Sequence, residues 1–115
     1  MEPRDDKLHL KNGYEIQLNS SAKEKRKTGS LYAVIDISKT IIPDESQWHT
    51  VRIRLLGKRI QSWLNDRQVI DYTEPENVER PAERIGRVLR AEGGAIALQG
   101  HDRESVYYFK SLRIR

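Results

Sequence analysis

The 115-residue sequence has no cysteine, a single phenylalanine, a single methionine and two tryptophans. Without cysteine there is no disulfide framework, no thiolate metal centre and no cysteine nucleophile. No stretch approaches the ~18–20 consecutive apolar residues of a membrane span. The opening MEPRDDK lacks the apolar middle of a signal peptide, which leaves export open. HExxH, serine-hydrolase and phosphate-loop patterns are missing. So is the alternating Glu/Asp strand that sandwich-fold glucanases use for retaining hydrolysis.

Hydrophobic residues make up 37% and charged residues 33%, with a net charge of +4. This is the composition of one domain, residues 1–115, with a modest core and a charged surface. The basic residues are dispersed except for KEKRK at 23–27, set between SSA and TG. That run reads as a solvated hairpin loop. It lacks the interleaved aromatics of single-strand recognition, and no nucleic-acid partner is expected.

Strand patterns dominate. In GYEIQLN (13–19), Tyr14, Ile16 and Leu18 alternate with Glu15, Gln17 and Asn19. The apolar side is that of a half-buried strand, and Glu15 and Gln17 stand ~7 Å apart on the other side. SLYAVI (30–35) follows a polar loop. HTVRIRLLG (49–57) alternates Val51, Ile53 and Leu55 inward with Arg52 and Arg54 outward. RIQSWLN (59–65) sets Ile60, Ser62 and Leu64 against Gln61 and Trp63, and Asn65-Asp66 turns the chain into RQVIDYT. Residues 73–94 break the rhythm with Pro75 and Pro81, and read as a loop with at most one short helical turn. GAIALQG (94–100) and ESVYYFKSLRIR (104–115) complete the strands, the latter with a bulge expected near Lys110-Ser111. Six or so strands joined by hairpins predict an all-β antiparallel sandwich or jelly roll.

Candidate chemistry is sparse. His9, His49 and His101 show no close metal-ligand spacing. His49 reads as an ordinary strand-end residue, and His101 closes the strand that carries Gln99. Trp63 either offers a stacking surface for a sugar on a polar sheet face or covers a sheet edge.

Taken together, GYEIQLN, TGSLYAVI, QWHTVRIRLLGKRIQSWLNDRQVIDYT and GGAIALQGHDRESVYYFKSLRIR resemble the 3-keto-disaccharide hydrolase family over residues 12–115. The resemblance implies a concanavalin-like jelly roll, here matched in its later part and so expected to be truncated on the N-terminal side. Asp66 stands where the family usually has Gly, implying turn strain. The resemblance implies chemistry in which a ketone at sugar carbon 3 acidifies the hydrogen on carbon 2, and the glycosidic oxygen leaves by elimination. Glu15 and His101 are then the catalytic candidates, as acid/base partners or as ligands of a divalent ion, no cofactor being certain. Gln17 and Gln99 would orient sugar hydroxyls, and Tyr32 or Trp63 would stack on the ring. A carbohydrate ligand is implied, and a periplasmic or extracellular location. Homodimerisation is expected to cover the missing strands, the alternative being a short relative with a shallower core. Two competing functions are a non-catalytic carbohydrate-binding module and a structural dimerisation domain.

Overall fold

The computed structural model describes residues 12–100 and 102–115. Three strands, β1 (Val51–Leu56), β2 (Arg59–Leu64) and β3 (Arg67–Thr73), form an antiparallel sheet in the order β1-β2-β3. Their residue patterns explain the hairpins. Gly57, at φ +56°, supplies the left-handed position between β1 and β2. Between β2 and β3 that role falls to Asn65, at φ +52°. Asn65 Oδ1 also accepts the Thr50 N–H at 3.0 Å, which ties the turn back to the start of β1. The turn strain expected at Asp66 is therefore absent, because its neighbour takes the left-handed conformation that Asn tolerates.

In β2 the alternation holds, with Ile60, Ser62 and Leu64 buried and Gln61 and Trp63 only half-buried. Register runs from Leu55↔Ile60 to Val51↔Leu64 across the first hairpin. The second hairpin slips by a bulge between Ser62 and Trp63. Leu31, Ile60 and Ile70 form the buried core, lined by Tyr14, Ile16, Val34, Ile37, Val69, Tyr72 and Leu89. Each fully buried Leu or Ile contributes about 1.5–3 kcal/mol relative to exposure.

Residues 14–17 run extended beside 29–32. Tyr32 N–H donates to Glu15 O at 2.9 Å, Gln17 N–H to Ser30 O at 3.0 Å, and Gly29 N–H to Gln17 O at 2.9 Å. This lacing leaves Ile16↔Leu31 as an isolated bridge. SLYAVI is not the strand the alternation predicts. Ala33 takes φ +58°, and the Val34 and Ile35 N–H groups both return to Leu31 O, so the segment folds back on itself.

β1 departs from expectation too. Ile53 is 51% and Leu55 59% exposed, so the side predicted to face inward is not covered. The segments expected to supply further strands, 94–100 and 104–115, contain no strand among the described residues, and Ile96, Leu98, Val106, Leu112 and Ile114 are exposed. The bulge expected near Lys110-Ser111 has no strand to interrupt; the bulge in the sheet is the one in β2. The described residues are thus mainly β, with one three-stranded antiparallel sheet and a short 3-10 turn at Ala82–Arg84. That turn fits the short helical turn predicted in 73–94. Among the described residues no helix is long and apolar enough to cross a membrane.

Candidate functional site

Tyr14 and Ile16 pack on the core, so the extended chain must present Glu15 to the opposite side. There it meets two arginines from the loop after β3. Arg87 Nη2 donates to Glu15 Oε1 at 2.5 Å, and Arg84 Nη1 donates to the same oxygen at 3.3 Å. The two cations differ in setting. The Arg87 side chain is 0% exposed, whereas Arg84 is 18% and Glu15 22% exposed. Arg87 Nη1 also donates to Tyr32 O at 2.7 Å, fixing its plane. Burial pulls the Arg87 guanidinium below its usual value, and the neighbouring positive charge of Arg84 adds to this.

The Tyr32 ring lies beneath two guanidinium groups, Arg26 with Cζ 4.7 Å from the centroid and Arg84 at 5.0 Å. Arg26 is held in turn by Asp36 at 3.0 Å. The half-exposed end of the site therefore combines the Glu15 carboxylate, the Tyr32 ring and the two arginines that pack on it.

A second cluster secures the loop that carries these arginines. Glu74, with 2% of its side chain exposed, accepts from Tyr14 Oη at 2.5 Å, Lys58 Nζ at 2.8 Å and the Leu89 N–H at 2.8 Å. Lys58 Nζ also donates to Leu89 O at 2.7 Å, so both polar groups of that peptide position are fastened to the end of β3 and the first hairpin turn. Arg80 donates through Nη2 to the Tyr14 and Tyr72 hydroxyls at 2.7 and 2.8 Å, and through Nε to Arg87 O at 3.3 Å. Burial alone would raise the Glu74 carboxyl, but the bonds from Lys58, Tyr14 and Leu89 outweigh it and hold it below its ordinary value. Burial and the Glu74 carboxylate push the Tyr14 hydroxyl well above its ordinary value, Arg80 opposing. These groups lock residues 74–89 into a closed loop whose inner side delivers Arg84 and Arg87 to Glu15.

Of the residues predicted from sequence, Glu15 and Tyr32 are brought together. Gln17 is half-buried two positions along the same polar row. Trp63 is not at this site. It lies on the sheet face away from Ile60 and Leu64, with Arg52 Cζ 4.1 Å above its ring. Gln99 is exposed in an irregular segment. His101, like His9, lies outside the described residues. A cleft of about 670 Å³ opens at the far end of the polar row, between Asn19, Ser21, Lys23 and Glu24 on one wall and residues 102–105 on the other. Glu15 does not line it, so the chemistry-bearing groups and this cleft are separate features.

Sequence reading missed Arg80, Arg84 and Arg87, which recur at intervals of four and three within RPAERIGR. Nothing in the loop singled them out, because residues 73–94 interleave four arginines with five glutamates. Glu74 and Tyr14 carried no signal, because pairing across 60 positions is invisible locally. The described residues include no group of three or more His, Asp or Glu side chains placed to hold a metal ion. At Glu15 a divalent cation does not fit, since two guanidinium groups already meet Oε1 and would repel it.

The family model described as "3-keto-alpha-glucoside-1,2-lyase-like domain" matches residues 2–115 of the chain. No curated protein and no solved structure matches significantly.

Proposed function

Because the chain belongs to the 3-keto-alpha-glucoside-1,2-lyase-like domain family, we propose that it cleaves the glycosidic bond of 3-keto-glycosides by elimination, with Glu15 as the base. The observation that carries this reading is the setting of Glu15. Its carboxylate stands on the side of the chain opposite the core, fixed by a fully buried arginine yet 22% exposed to an incoming ligand. Both guanidinium contacts fall on Oε1, which leaves Oε2 to accept the proton from sugar carbon 2. His101 is the proposed acid for the departing oxygen. Tyr32, whose ring carries the Arg26 and Arg84 guanidinium groups, is proposed to border the sugar together with them, and Gln17 and Gln99 are the proposed partners of its hydroxyls. Trp63 has no part in this arrangement.

The architecture proposed with this function is a concanavalin-like jelly-roll sandwich. A second layer would cover the exposed apolar side of β1, supplied by further chain or by a second copy. The competing reading, a carbohydrate-binding module without turnover, draws on the same two contacts at Oε1, since a carboxylate held by two cations suits recognition as well as proton transfer.

The test is release of a chromogenic leaving group from a 3-keto-glucoside. The wild type is compared with Glu15→Gln and His101→Ala, each verified as folded, with and without a chelator. Release that collapses in both variants supports the elimination. A folded wild type that binds the sugar without release assigns the domain to recognition instead.

A further inference from the structure

Elimination at a 3-keto sugar shifts one negative charge by a short distance. Glu15 Oε2 takes the proton from carbon 2, and the C–H electron pair becomes the C2=C3 bond. The carbonyl π pair moves onto the oxygen of carbon 3. When that pair re-forms the carbonyl, the double bond moves to C1=C2, the C1–O bond breaks, and the departing oxygen takes up a proton. At the halfway point the carboxyl is neutral and the charge sits on an oxygen of the adjoining carbon. A donor that serves this step has to lie beside the base, on its open side, with freedom to follow the charge.

We propose that Arg84 is that donor and binds the enolate oxygen directly; this rests on the elimination reading above. Its Nη1 lies 3.3 Å from Glu15 Oε1, against 2.5 Å for Arg87, so Arg84 is the more weakly held of the two. Arg87 is 0% exposed and anchored to Tyr32 O, so it stays with the carboxylate throughout. Charge points the same way. Both guanidinium groups meet the same carboxylate oxygen, so when Glu15 is neutralised by the proton the positive charge of Arg84 is there to meet the enolate charge as it forms. The guanidinium of Arg84 packs over the Tyr32 ring, which orients it without using its N–H donors. As Glu15 gains the proton, its hold on Arg84 falls while the enolate appears next to it. The interaction is therefore stronger in the transition state than in the ground state, which is the condition for raising kcat.

Arg84→Gln and Arg84→Lys, compared with wild type on the 3-keto-glucoside, separate this role from a structural one. In Arg84→Gln, kcat is expected to fall by about 10²–10³-fold, the usual effect of losing one oxyanion donor. KM should stay within about threefold, because the lost interaction is made only in the transition state. The deuterium isotope effect from carbon 2 should grow, because proton removal becomes slower relative to the other steps. Arg84→Lys keeps the charge but loses the fork, and should recover part of kcat. A kcat for Arg84→Gln within about threefold of wild type overturns the assignment, as does a rise in KM at constant kcat. A wild type with no turnover overturns the elimination reading itself, and the role of Arg84 with it.

Discussion

Replacing Glu15 by Gln keeps the shape of the side chain and removes its charge, so the wholly buried Arg87 guanidinium loses its contact with the Glu15 carboxylate. Arg87 would retain its bond to Tyr32 O at 2.7 Å and a neutral amide oxygen in place of the carboxylate. A unit-charge pair at ~4 Å gives about 4 kcal/mol at an effective dielectric of ~20. Part of this is screened, because Glu15 is 22% exposed, and part is recovered by the amide. We expect Glu15→Gln to cost about 2–3 kcal/mol, below the 3–5 kcal/mol typical when a fully buried pair loses one partner. For a domain of this size that lowers Tm by roughly 8–12 °C. Arg87→Met should cost about 2–4 kcal/mol, since it strands Tyr32 O and removes the anchor of the loop. The double variant should be little worse than Arg87→Met alone, giving a coupling of about 2–3 kcal/mol in a urea-unfolding cycle. Strictly additive effects, or a Glu15→Gln protein as stable as wild type, would refute the claim that this ion pair organises the site. The cycle also guards the activity assays, because a Glu15 variant must be shown to be folded before its lost turnover is attributed to chemistry.

Gly29→Ala should destabilise by about 2–4 kcal/mol, combining a left-handed backbone with overpacking. Gly29 has φ +95°, and a Cβ there would lie 2.8 Å from Leu64 Cδ1; an unchanged urea midpoint would contradict this. Asp66→Gly should not stabilise the hairpin, because the left-handed residue is Asn65. It should cost about 0.5–1 kcal/mol through the unfolded chain, and a gain in Tm would move the strain back to Asp66. Glu74 is held below its ordinary value of 4.5, so its contribution is present above that pH and is lost as pH falls through its lower native value. Glu74→Gln should therefore cost about 1–3 kcal/mol at pH 7, and should flatten the acid side of the stability profile. A profile parallel to that of wild type would show that the carboxylate does not hold Leu89 and Lys58 as described.

The central sheet was legible because its signals are local. Arg52 and Arg54 alternate with apolar residues, and Gly57 and Asn65 mark the turns, so β1, β2 and β3 fall within a residue or two of their predicted bounds. SLYAVI misled because alternation says nothing about a left-handed Ala33, which reverses the chain there. The tail, 94–115, has strand composition but no edge that it pairs with among the described residues, and composition alone does not form a ladder. At the site, Glu15 and Tyr32 were named through the family resemblance, since alternation showed only that the polar row is separate from the core, and the structure places the two side by side. Trp63 was expected opposite Ile60 and Leu64, which the burial pattern of β2 bears out, and the contact it makes there is with Arg52 rather than with Glu15 or its arginines. The arginines were overlooked because their partners lie 69 and 72 positions away and no pattern within the loop discloses them.

The central claim is proton removal from carbon 2 with Glu15 as the base, and the most direct measurement compares chromophore release from a 3-keto-glucoside carrying hydrogen or deuterium at that carbon. The account predicts a primary isotope effect in the wild type, with release abolished in a folded Glu15→Gln protein. Equal rates for the two substrates, with Glu15→Gln as active as wild type, would contradict elimination and assign any cleavage to another group.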